Sequence, residues 1–128
     1  MIVVDTSAVV ALLLAEPDGP RIEQRLTEEA AVMSAATRVE LGMVIEARSG
    51  PAGTLLLDEL FDRVGIEVVA VDADLASEAL RGWRRFGKGR HRAALNYGDT
   101  FSYALAKQLD LPLLFVGDDF THTDLRAA

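Results

Sequence analysis

The sequence predicts an α/β protein, a three-layer α/β/α sandwich around a central parallel sheet of four to five short strands. Three observations carry this. Short apolar runs rich in β-branched residues recur along the chain, with two helical segments between each pair. Half of the 128 residues are hydrophobic, enough to bury a core, so residues 1–128 read as one domain. Parallel strands need crossover connections, and the crossover helices cover both faces of the sheet.

The elements follow in order. "MIVVD" reads as a strand ending on Asp5, and "TSAVVALLLAEPDG" as a helix capped by Thr6 or Ser7 and stopped by Pro17-Asp18-Gly19. "PRIEQRLTEE" is a second helix, with Pro20 in its first turn, and "AAVMSA" a second strand. "ATRVELGMVIEARSG" is a helix closed by Gly50 and Pro51, with Val39, Met43 and Ala47 marking its apolar face. "AGTLLLDELFDRVG" is a helix, "IEVVAVD" a strand, "ADLASEALRGWRRFG" a helix and "KGRHRAALNYG" a loop. "DTFSYALAKQLD" is the last helix and "LPLLFVGDDF" a last strand running into two aspartates, before a short tail.

Composition excludes several classes. No cysteine is present, so disulfides and thiolate sites are ruled out, and a reducing cytoplasm suits the chain. The apolar start lacks a basic flank and is interrupted by Asp5, so neither a signal peptide nor a membrane span is expected. The net charge of -7 argues against nonspecific nucleic-acid binding by the whole surface. Yet six of the 13 Lys and Arg fall between Arg81 and Arg92, which leaves seven basic residues against 20 acidic ones elsewhere. Such a patch suits a local polyanion contact, and Lys88, Arg90 and Arg92 are its candidates.

Ligands of open parallel sheets sit beyond the carboxyl ends of the strands. Asp5 closes the first strand there, and Asp118 and Asp119 follow the last. Asp99 opens a helix after the basic loop, and Glu40 lies in the first turns of the helix after the second strand. Each has an ordinary structural role available: Asp5 and Asp99 as caps, Glu40 in a capping box with Thr37, the Asp118-Asp119 pair in a turn. Together they repel one another unless a cation joins them. An all-oxygen set suits Mg²⁺ or Mn²⁺, which activates water and neutralises charge in phosphodiester cleavage. The basic run would then hold the polyanion beside that ion. His91 and His122 form no metal-ligand spacing.

The segments "VVDTSAVVALLLAEPD", "AATRVELGMVIEAR", "LNYGDTFSYALAK" and "LLFVGDDF", in this order over essentially the whole chain, resemble PIN-domain ribonucleases, most closely VapC-type toxins of bacterial toxin–antitoxin modules. The resemblance implies a PIN-like sandwich, a Mg²⁺- or Mn²⁺-dependent endoribonuclease, a homodimer and a cognate VapB-type antitoxin. It assigns the acidic metal and catalytic positions to Asp5, Glu40 and Asp99, and the hydroxyl position beside the first to Thr6 or Ser7. The fourth acidic position falls on Asp118, with Asp119 as the alternative. A dehalogenase-like phosphotransfer site lacks its second aspartate, because position 7 is Ser7. A receiver-like site lacks a lysine after the last strand. The remaining alternative is a catalytically silent PIN-like module that binds RNA or a partner.

Overall fold

A computed structural model describes all 128 residues. Four strands, β1 (Ile2–Val4), β2 (Ala31–Ser34), β3 (Glu67–Val69) and β4 (Leu113–Leu114), pair in parallel in the order β3-β2-β1-β4. Five helices connect them: α1 (Thr6–Leu13), α2 (Gly19–Glu28), α3 (Ala35–Val64), α4 (Ala73–Phe86) and α5 (Tyr97–Leu109). The expected layered sandwich is found. Its mechanism is the two-residue alternation of a strand. Ile2 and Val4 pack on one face with Ala31, Met33 and residues of α1, α2 and α3. Val3 and Val32 pack on the other with residues of α4 and α5. No helix is long and apolar enough to cross a membrane.

From β1 the chain builds outward to β2 and β3, and then crosses back to place β4 on the other side of β1. The winding direction therefore reverses beside β1, where doubly wound sheets open a crevice at their carboxyl edge. The same alternation decides where Asp5 points. It lies two residues beyond Val3 and is directed to the α5 face.

The two helices expected on either side of Gly50 are found as the two halves of α3, separated by the non-helical angles of Gly50 (φ 65°, ψ -162°). The break comes where expected, but Pro51 begins the second half without a connecting loop. The expected apolar face of the first half is reversed. Val39 and Met43 are 62% and 68% exposed, whereas Leu41 and Ile45 are buried in the core. Both stripes have the four-residue spacing of a helix, and periodicity alone could not rank them. The last strand stops at Leu114; Asp118 and Asp119 lie beyond it, the second opening a 3₁₀ turn, Asp119–His122. Helix α5 begins at Tyr97, two residues before Asp99, because Asn96 caps it. The short tail pairs with the sheet: Leu113 donates its N–H to Arg126 and accepts one from Ala128, which covers the outer edge of β4.

Candidate active site

The site is assembled from the ends of β1 and β4 and the first turns of α1, α3 and α5. Asp5 caps α1, a role the sequence leaves open among Asp5, Thr6 and Ser7. Its Oδ2 accepts from the Ser7 N–H at 3.0 Å and from Ser7 Oγ at 2.7 Å. The Ser7 hydroxyl in turn accepts from the Val116 N–H at 3.0 Å, which ties the end of β1 to the segment after β4. Asp5 Oδ1 accepts from Ser102 Oγ of α5 at 2.6 Å. Asp5 is only 3% exposed, so a buried carboxylate has its oxygens oriented by three donors. A chain of buried hydroxyls continues behind it, from Ser102 to Thr37 (3.4 Å) and Ser34 (2.9 Å).

Glu40 is not the capping-box acid of α3. Ser34 is the cap, accepting from the Thr37 N–H at 3.0 Å. Glu40 instead accepts a 2.6 Å hydrogen bond from Thr6 Oγ1, 34 residues away, with its Oε1. Its carboxylate lies against Gly98 so closely that any Cβ at position 98 would overlap Glu40 Oε2. Gly98 is thus what lets the start of α5 approach Glu40.

Asp99 is the third residue of α5 in a reciprocal capping box. Its N–H donates to Asn96 Oδ1 at 2.9 Å, and its Oδ2 accepts from the Asn96 N–H at 3.1 Å. The cap and the functional reading therefore hold at once. Burial first, then the charges of Asp5, Asp119 and Glu40, push the Asp99 carboxyl up to about 7, against the lowering pull of the Asn96 N–H. Of the Asp118-Asp119 pair, Asp119 is among the charges that raise Asp99. Both aspartates are exposed.

Asp5, Thr6, Ser7, Glu40 and Asp99 line one open cleft of about 350 Å³. Two charged residues not singled out from the sequence share it: Glu16, at the end of the α1 segment, and Arg48, two turns along α3 from Glu40. A signal for Arg48 was present. Glu40, Val44 and Arg48 recur every four residues and line the same side of the helix. Ser102 had no such signal, since its partner lies 97 residues away.

The basic run does not enter this cleft; Lys88, Arg90 and Arg92 all lie outside its lining. Arg90 donates to the Arg84 carbonyl and stacks over the Trp83 ring at 4.7 Å. Arg81 pairs with Glu78, and Arg85 with Asp124. His91 accepts from the Ala93 N–H through Nδ1, a local structural role.

The donor set fits a divalent cation. It is all carboxylate oxygen, no cationic side chain is bonded to any of it, and Asp99 Oδ1 and Glu40 Oε2 accept no hydrogen bond from the protein. The acids are not closed into a cage: no group of three or more Asp, Glu or His side chains is gathered tightly enough to hold an ion unaided.

Comparisons with known proteins place the chain in a family. The PIN domain family model matches residues 2–125. The chain is 51% identical over 124 residues to Ribonuclease VapC30 of Mycobacterium tuberculosis, covering 96% of this chain and 95% of that one. It is 50% identical over 126 residues to Ribonuclease VapC of Mycolicibacterium smegmatis, covering 98% of each. The fold is shared with the crystal structure of Mycobacterium tuberculosis VapC20, a sarcin-ricin loop cleaving toxin (TM-score 0.80, 18% identity, 100% of this chain and 98% of that chain). It is also shared with VapBC2 from Rickettsia felis bound to a DNA fragment from its promoter (TM-score 0.78, 15% identity, 100% and 98%).

Proposed function

The chain belongs to the PIN-domain family and, within it, to the VapC-type ribonucleases, and from that premise we propose a divalent-metal-dependent endoribonuclease whose centre is Asp5, Glu40 and Asp99. One observation carries the assignment. Three carboxylates from separate parts of the chain line one cleft, and one of them is raised to about 7 by burial and by its acidic neighbours. That arrangement is unfavourable without a cation and useful with one. Asp119 is the fourth acid we favour, because its charge reaches Asp99, with Asp118 next to it in the chain as the alternative.

Mg²⁺, or Mn²⁺, is the expected ion, held by Asp5, Glu40 and Asp99. Bound there, it supplies Lewis-acid charge neutralisation and water activation for phosphodiester hydrolysis. The protein's part is preorganisation. Ser7 and Ser102 fix Asp5, Thr6 fixes Glu40, and the Asn96 cap fixes Asp99, so the acids need little rearrangement when RNA arrives. Lys88, Arg90 and Arg92 are proposed to touch RNA phosphates outside the cleft.

Two partners follow from the same reading. A VapB-type antitoxin is expected to silence the enzyme, and an acidic cleft favours a basic side chain from it. A second copy of the chain is expected on the exposed apolar face. Val39 and Met43 of α3, Leu80 and Trp83 of α4 and Tyr97, itself 80% exposed, border two adjoining grooves that share Tyr97 and Phe101. Such a patch on one side of a soluble protein marks an association surface. Sedimentation of the wild type as a dimer and of Met43→Glu as a monomer is the expected result. We place the protein in the cytoplasm, in line with its lack of cysteine and its RNA substrate.

The deciding experiment is cleavage of total RNA by antitoxin-free protein with Mg²⁺, with Mn²⁺ and with EDTA, beside Asp99→Asn. Discrete products that need the metal and vanish in the variant are expected. Undiminished cleavage by Asp99→Asn would remove the assignment, and no cleavage by the wild type would favour the silent binding module.

A further inference from the structure

We infer that Arg48 binds the phosphate at the cleaved bond, and that it is the cation of the cleft which the basic run is not. The inference rests on the ribonuclease reading above and names a substrate contact within it.

The first observation is charge. The cleft is lined by Asp5, Glu16, Glu40 and Asp99, and Arg48 is the one basic residue among its lining residues. An RNA phosphate is an anion and must enter beside these carboxylates. A divalent ion offsets part of the repulsion, and a guanidinium on the cleft wall offsets more, with two parallel N–H donors that match two phosphoryl oxygens.

Commitment is the second observation. Arg38, on the same helix, is bonded to Asp58 at 3.2 Å and stacked over Phe61 at 4.7 Å. Arg25 and Arg85 are each held by acidic side chains. Arg48 is exposed and makes no hydrogen bond or ion pair, although Glu16 lines the same cleft. Its guanidinium is available to a ligand without breaking an internal bond.

Placement is the third. The break at Gly50 ends the first half of α3 two residues after Arg48, so the side chain sits in the last turn of a helix whose earlier turns carry Glu40 and Val44 along the same wall. A rigid helix thus sets the separation between the acid centre and the guanidinium. A cation near the end of a half-helix is also favoured by the helix dipole. That purely structural role would affect stability and would leave RNA chemistry untouched.

The test uses the full-length protein and a short RNA spanning the bond that the wild type cuts in total RNA. Arg48→Ala is expected to lower kcat/KM by about 10- to 100-fold, the range for losing a charge-assisted phosphate contact. Arg48→Lys is expected to recover part of that and Arg48→Gln little. The slope of log affinity against log salt should fall by about 0.7 in Arg48→Ala, the value for one single-strand phosphate contact. An RNA with a methylphosphonate at the cut position should bind the wild type more weakly than the unmodified RNA, and this difference should shrink in Arg48→Ala. Mn²⁺ binding, followed by electron paramagnetic resonance, should stay within about twofold, since the carboxylates are untouched. Unchanged kcat/KM and salt slope in Arg48→Ala would overturn the inference while leaving the ribonuclease reading in place. So would weakened antitoxin binding with normal cleavage, which would make Arg48 a partner contact. A wild type that cuts no RNA would remove the reading underneath and this inference with it.

Discussion

Replacing Asp99 by Asn is expected to stabilise the metal-free protein while destroying its activity. The Asp99 carboxyl is held at about 7 in the folded chain against an ordinary 3.8. Between those values the native state keeps a proton that the unfolded state has released. The favourable contribution of the protonated group is therefore complete below about pH 4 and lost as pH rises through 7. At 1.36 kcal/mol per pKa unit the ceiling is about 4 kcal/mol. The side chain is partly open to water, which screens its neighbours, so about 2 kcal/mol is the working figure. Asparagine carries no charge, and its Oδ1 can still accept from the Asn96 N–H, so the cap survives in weakened form. Urea or thermal unfolding in EDTA at pH 5 and pH 8 measures the effect. At pH 8 the variant should exceed the wild type by about 2 kcal/mol, or roughly 6–10 °C in Tm for a chain of this size. At pH 5 the gap should be clearly smaller, because the native state there still holds the proton that it has lost by pH 8. Adding Mg²⁺ at pH 8 should raise the wild type and close the gap. An offset that is the same at both pH values, or a variant less stable at pH 8, would refute the electrostatic account of the cleft.

Three further outcomes follow. Gly98→Ala sets a methyl group against the Glu40 carboxylate; the fold should persist with about 1–3 kcal/mol of overpacking, and RNA cleavage should fall at least tenfold, measured beside a thermal melt. Ser102→Ala removes the donor to Asp5 Oδ1; a loss of about 1–3 kcal/mol in urea unfolding and weaker Mn²⁺ binding by calorimetry are expected, and unaltered Mn²⁺ affinity would show that Ser7 alone orients Asp5. Asp124 accepts from Tyr103 Oη and Lys107 at 2.9 Å and from Arg85 at 3.3 Å; Asp124→Ala should cost about 1–2 kcal/mol of stability and leave Mn²⁺ binding intact, as read from the same two measurements.

Much of this molecule was legible in the sequence because its strands and helix ends carry local signals. Four apolar runs, Pro20 and the Gly50-Pro51 break marked the elements within a few residues. Asp5, Glu40 and Asp99 could be referred to one sheet edge because strand ends and helix starts share that edge. The rest depended on tertiary choices. Val39 and Met43 have the same spacing as Leu41 and Ile45, and only the sheet decides which stripe is covered. Glu40 stands three residues after a threonine and looked like a cap, but Ser34 took that role and left Glu40 to Thr6. The dense basic run drew the eye to residues 81–92, whereas the cation that lines the cleft is a single arginine with no conspicuous neighbours. Charge density along the chain is a poor guide to charge at a site when the site is built from several helices.

The two longest hydrogen bonds of the centre, measured along the chain, bear on when it can work. Ser102 reaches Asp5 across 97 residues, and the Val116 N–H reaches Ser7 across 109. β1 and β2 can pair early in synthesis, since chains grow from the N-terminus at roughly 5–20 residues per second. The centre itself cannot close until α5 and β4 have been made and have docked on the far side of β1. A nascent chain that has already folded its first half therefore has Asp5 and Glu40 but no functioning nuclease. Hydrolysis becomes possible only once residues through Val116 have been made and have docked, and the topology of the sheet thereby ties the activity to that point of synthesis.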